Sequence, residues 1–131
     1  MAKKKRPPKG SLSWYKFHAT EDAKELAKRR DDFTCQVCGL TNKERQIQGS
    51  HVFSVSVHPY LAGDVENVKA LCAYHHKWWW HSSPIDASDW FQDKFPERIK
   101  SLKKKIKKIE KGDRPDWKEV YENNKKALRE E

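Results

Sequence analysis

The stretch that decides the fold is residues 35–76. It opens on Cys35-Gln36-Val37-Cys38-Gly39 and closes on Cys72-Ala73-Tyr74-His75-His76. Two thiolates separated by two residues can grip one tetrahedral ion, and the glycine behind them lets the chain turn tightly. A lone CxxC also occurs in redox proteins. Here Cys72 and His75 supply a second ligand pair at the same spacing, so a Cys3His site uses all 3 cysteines of the chain. An odd number of cysteines cannot pair off completely within one chain, and thiolate ligands in a reducing compartment account for the count. Cys35, Cys38, Cys72 and His75 are therefore expected to hold a structural Zn2+. Such a staple would supply folding energy directly.

The composition calls for that help. At 131 residues the chain suits one domain, yet only 36% of it is hydrophobic and the mean hydropathy is −1.07. Six Trp, four Tyr and five Phe can supply large buried patches. No apolar run approaches a membrane span, and the N-terminus lacks the apolar stretch of a signal peptide. A cytoplasmic protein is expected, in the host cell if the chain is phage-encoded.

The charge is segregated. Residues 1–10 carry five Lys/Arg and no acid, and residues 95–111 carry eight against Glu97 and Glu110. These two stretches hold +11 of a net +9, so the remainder of the chain carries −2. That distribution suits contacts to phosphates through Lys3, Lys4, Lys5 and Arg6 of the arm and Lys103, Lys104, Lys105, Lys107 and Lys108 of the helix. A solubilising tail and a solvated helix face would give the same pattern.

Flanking the decisive stretch, residues 1–10 read as a disordered basic arm, because Pro7, Pro8 and Gly10 defeat regular structure. Thr20 can cap a helix over about 21–31. Residues 45–57 alternate like a β-hairpin with Gln48-Gly49-Ser50 near its bend. Cys72 is expected to begin a helix that runs to about His81, and Ser83-Pro84 to start another. Pro96 begins a long helix to about Lys111, in which Ile99, Leu102, Ile106 and Ile109 form one apolar stripe. Pro115 begins a last helix. The domain boundaries implied are 1–10 for the arm, 11–94 for the zinc-stapled domain and 95–131 for a C-terminal helical extension. Three consecutive indoles, Trp78-Trp79-Trp80, span about 200° of a helix, so core packing is expected with at least one exposed. Base stacking is the alternative.

The order Cys35-x-x-Cys38-Gly39, Ser50-His51-Val52-Phe53-Ser54, Asn67, Val68-Lys69-Ala70-Leu71-Cys72 and His75-His76 resembles the HNH endonucleases of the ββα-metal group. It is especially similar to the small zinc-bearing versions of phage genomes, including recombination nucleases of the NinG type. The resemblance covers about residues 33–92 and neither terminus. It implies an α+β fold: a zinc-stapled ββα-metal core of β-hairpin and helix, flanked by additional C-terminal helices. It makes His51 the general base that deprotonates the attacking water, a task suited to a neutral imidazole near pH 7. Asn67 would brace the hairpin and loop around His51. His76 would bind a catalytic divalent ion, Mg2+ or another such as Mn2+ or Ni2+.

Two positions depart from the family pattern. Ser50 stands where a metal-binding Asp or His is usual, and a hydroxyl is a poor ligand, so Asp64 and His81 are candidates to help. His75 stands where cysteine is usual, which leaves His75 and His76 open to exchanged roles. The activity implied is hydrolysis of phosphodiester bonds in DNA, branched or single-stranded forms included, with Lys77 a further phosphate contact. The alternative is a catalytically inactive zinc-knuckle module that binds DNA or RNA. A purely protein-binding zinc domain would not need the segregated charge. Monomer and homodimer both remain open.

Overall fold

The structure is a computed structural model that describes residues 6–130. Lys3, Lys4 and Lys5 lie outside the described residues. The described residues are mixed α and β, with one two-stranded antiparallel sheet among four α-helices. No helix among the described residues is long and apolar enough to cross a membrane.

Helix α1 spans Leu12–Arg30, starting nine residues before the expected Glu21. Its N-cap is Ser11, whose hydroxyl accepts from the Trp14 amide, while Thr20 sits mid-helix with its hydroxyl bonded back to the Lys16 carbonyl. The aromatic segment before Thr20 is helical because it has a partner: Trp14 and Tyr15 pack on Tyr121 of the last helix. Ala19, Ala23, Leu26 and Ala27 recur at helical spacing and are buried. After the helix Asp32 and Phe33 take positive φ and turn the chain into the cysteine knuckle.

Strand β1 is Ile47–His51 and strand β2 is Val68–Cys72. They pair antiparallel, with Gly49 opposite Ala70, Ser50 opposite Lys69 and His51 opposite Val68. The bend expected at Gln48-Gly49-Ser50 is therefore absent, and those residues form the middle of a strand. The hairpin's real connection is residues 52–67, which includes two single 3-10 turns, Pro59–Leu61 and Val65–Asn67. Gly49 has a packing reason: a Cβ there would lie 2.7 Å from the Lys24 Cβ, so only glycine lets α1 approach the strand this closely. Cys72 ends β2 where a helix was expected to begin. The helix that follows takes a π-helical form over His75–Trp80.

Helix α2 (Pro84–Lys94) and helix α3 (Pro96–Glu110) follow. Proline stands at the start of both, as expected, but the Ser83 side chain makes no capping bond. The stripe on α3 buries Leu102 fully. Helix α4, Trp117–Glu130, lies along α1, and its buried Asn124 donates to the carbonyls of Ala19 and Gly63. The sheet is thus sandwiched. One face, with Gly49 and Val68, meets α1, while the other, with Ser50 and Lys69, meets the π-helical turn and α2.

Candidate metal centre and the histidines beside it

The two ligand pairs meet in space. Sγ of Cys35, Cys38 and Cys72 and one ring nitrogen of His75 all lie within 4.8 Å of one another. His75 Nδ1 is 3.2 Å from Cys72 Sγ and 3.7 Å from Cys35 Sγ, and the Cys38 and Cys72 sulfurs are 4.0 Å apart. Tetrahedral zinc with ordinary bond lengths separates two sulfurs by about 3.8 Å and a sulfur from a nitrogen by about 3.6 Å. The four atoms bracket those values and could hold a zinc ion. Gly39 takes φ 76° and its amide donates to the Cys35 carbonyl, which closes the turn behind the two thiols. Burial raises the Cys35 thiol, but main-chain hydrogen bonds to its sulfur outweigh this and hold it below its ordinary value. That favours the thiolate a metal needs.

The structure separates His75 from His76. His75 faces the cysteines. His76 turns toward the sheet, where its Nδ1 lies 2.8 Å from Gln48 Oε1. Donation from Nδ1 to that amide oxygen leaves the lone pair on Nε2 free. Burial, then His81, pushes His76 down to about 4, so it is neutral near pH 7.

Beside it stands His81, with ring centroids 5.1 Å apart. Two imidazoles bound to one ion at about 2.1 Å have centroids roughly 4.5–5.3 Å apart, and two aromatic rings packed without an ion fall in the same range. In an α-helix two residues five apart point about 140° away from each other. The i to i+5 register of the π-helical turn, which His81 ends, brings the rings side by side instead, with their planes tilted by 41°. Asp64 is engaged elsewhere: it caps the turn at Glu66 and pairs with Lys105 at 2.7 Å.

His51, at the end of β1, is partly buried. Its Nε2 lies 2.9 Å from the Ala62 carbonyl oxygen. A carbonyl only accepts, so Nε2 carries the proton and Nδ1 the lone pair. Burial is the chief cause that lowers its pKa below the ordinary histidine value, partly countered by the Ala62 bond. Asn67 is fully buried one register step away. Its Oδ1 accepts from the Phe53 amide at 2.8 Å, and its Nδ2 donates to the carbonyls of Phe53 and Leu61 at 3.1 and 3.2 Å. The Asn67 side chain thus clamps both ends of the loop around His51. Arg30 and Arg98 converge on the Val68 carbonyl, at 2.6 and 2.9 Å, and fix the start of β2.

Ser50 and Lys69 hold the surprise. Both are buried, Lys69 completely. Its Nζ lies 3.0 Å from Ser50 Oγ, 3.1 Å from the His51 carbonyl oxygen and 3.2 Å from the centroid of the Trp80 ring. In the sequence Lys69 reads as an ordinary polar residue of a short extended segment, and no local signal marks it.

Of the expected phosphate contacts, Lys77, Lys103, Lys104, Lys107 and Lys108 are exposed, as is Arg6, while Lys105 is tied to Asp64 and Glu66. Two of the three indoles are packed, Trp79 edge-on to Trp90 and Trp80 over Lys69, and Trp78 is 67% exposed. Comparison of the chain with family models, with curated proteins and with solved structures found no match.

Proposed function

We propose that the chain is a metal-dependent endonuclease of the HNH type that hydrolyses phosphodiester bonds in DNA, with His51 as general base. The observation that carries this reading is the bond from His51 Nε2 to the Ala62 carbonyl. It fixes one tautomer and aims the chemistry at Nδ1, which would take the proton of the attacking water. Burial favours the neutral ring that this step requires. As the ring becomes positive, the same carbonyl stabilises the Nε2 proton. Asn67 is a positioning residue: it holds the Leu61 carbonyl, one residue before the group that orients His51. His76 and His81 would hold a divalent ion, Mg2+, Mn2+ or Ni2+, with Gln48 orienting the His76 ring. Such an ion supplies neutralisation of phosphate charge and stabilisation of the leaving oxygen. The exposed lysines of α3 and Lys77 suit the flanking phosphates.

The test is cleavage of plasmid and branched DNA with each of the three ions, with His51→Ala beside wild type. A general base is worth about 10² to 10⁴ in rate, so the variant should lose that much while it keeps its zinc and its fold. Equal cutting by His51→Ala would refute the assignment. A second reading, a module that binds nucleic acid without cutting it, is favoured by the engagement of Ser50 with Lys69. Wild-type protein that binds DNA but fails to cut it in the presence of any of these divalent ions would establish it.

A further inference from the structure

Lys69 is a wholly buried lysine with no carboxylate partner among the described residues. Burial, then the nearby Arg98, pushes its pKa well below the ordinary lysine value, yet the groups it meets are those that favour an ammonium. Three oxygens face it, Ser50 Oγ at 3.0 Å, the His51 carbonyl at 3.1 Å and the Ser50 carbonyl at 3.4 Å, and an ammonium has three N–H groups to give them. The face of Trp80 closes the remaining side at 3.2 Å, with Phe91 at 6.0 Å. We propose that this ammonium is the built-in cation of the end of β1: it holds the main chain of His51 in place and excludes a divalent ion from Ser50.

The geometry leaves no room for both charges. A hard divalent ion sits about 2.1 Å from a ligand oxygen. An ion on Ser50 Oγ would therefore be no farther than about 5 Å from Nζ, in a site walled off from water by Trp80 and Phe91. Like charges that close and that dry repel strongly. Lys69 also joins the elements that matter. It reaches from β2 across to the carbonyls of β1 and under Trp80, four residues after His76 on the π-helical turn. It is thus a positioning residue that sets the strand of His51 against the helix of His76 and His81. Any divalent ion is left to those two histidines. The relevance to catalysis rests on the nuclease reading; the exclusion of the ion from Ser50 does not.

The experiment is a two-residue cycle read by Mn2+ binding to the zinc-loaded full chain, measured by electron paramagnetic resonance. Ser50→Asp alone should leave the Mn2+ dissociation constant within about threefold of wild type, because the new carboxylate pairs with Lys69. Ser50→Asp combined with Lys69→Met frees that carboxylate and should tighten Mn2+ by about tenfold or more. A tenfold gain from Ser50→Asp alone overturns the proposal, and so does a double variant that gains nothing. If Lys69→Met does not fold, Lys69→Gln replaces it in the double variant, which is read against the same two outcomes. Because the readout is binding, it stands even if the protein cuts no DNA. Under the nuclease reading, Lys69→Gln should lower kcat with little change in KM.

Discussion

Replacing Asn67 by aspartate changes one NH2 group for an oxygen, yet it should destabilise the protein more than removing the side chain altogether. Asn67→Ala deletes three hydrogen bonds, from the Phe53 amide and to the Phe53 and Leu61 carbonyls. At about 1 kcal/mol each the net loss is about 3 kcal/mol. Asn67→Asp keeps the bond from the Phe53 amide but turns a two-proton donor into an oxygen that faces two carbonyl oxygens. It also places a charge at a residue that is 0% exposed. A buried charge without a counter-ion costs about 3–5 kcal/mol, so with two bonds lost as well, at about 1 kcal/mol each, the expected penalty is about 5–7 kcal/mol. Arg30 and Arg98, already bonded to nearby carbonyls, soften this without cancelling it. Urea unfolding of both variants at saturating zinc measures the difference. The burial that penalises the carboxylate also raises its pKa, so the gap between the two variants should narrow from about pH 8 to about pH 5.5 as the group takes up a proton. An Asn67→Asp protein as stable as Asn67→Ala would mean that the Nδ2 bonds do not hold the loop. The reasoning from Asn67 to the orientation of His51 would then fail with it.

His75→Ala and Cys38→Ser should each lose zinc and unfold, because a structural zinc contributes about 10–16 kcal/mol, as much as the whole stability of an ordinary domain. His76→Ala should keep one zinc per chain by metal analysis; loss of zinc from it would reverse the assignment of the two histidines. The pH profile of cleavage should level off at or below about pH 6.5, the ordinary histidine value, because burial lowers His51. A rate still climbing between about pH 7 and pH 8 would exclude His51 as the base. The sign for stability follows from the same shift. A depressed histidine pKa means that the fold favours the neutral ring. Its contribution is present above about pH 6.5 and is lost as pH falls through the folded-state value.

The cluster that could hold a zinc ion was legible because its spacing is local: the i, i+3 pairs preset the grip, and two such pairs with an odd cysteine left a single economical solution. The apolar stripe of α3 was legible for a similar reason, since helical periodicity is written in the order of residues. Alternation from 45 to 57 misled, because Gly49 looks like a turn residue until α1 is placed beside it. The start of α1 was hidden as well, since its aromatic first turns are stabilised by Tyr121, more than 100 residues away. Only the tertiary structure brought His81 to His76, through a π-helical register that no local spacing rule anticipates. The same holds for Lys69. By itself the sequence placed a lysine in a short extended segment and a serine before a histidine. Strand pairing set them opposite each other, and the burial of that face under Trp80 made their bond one of those that satisfy the lysine's buried amine.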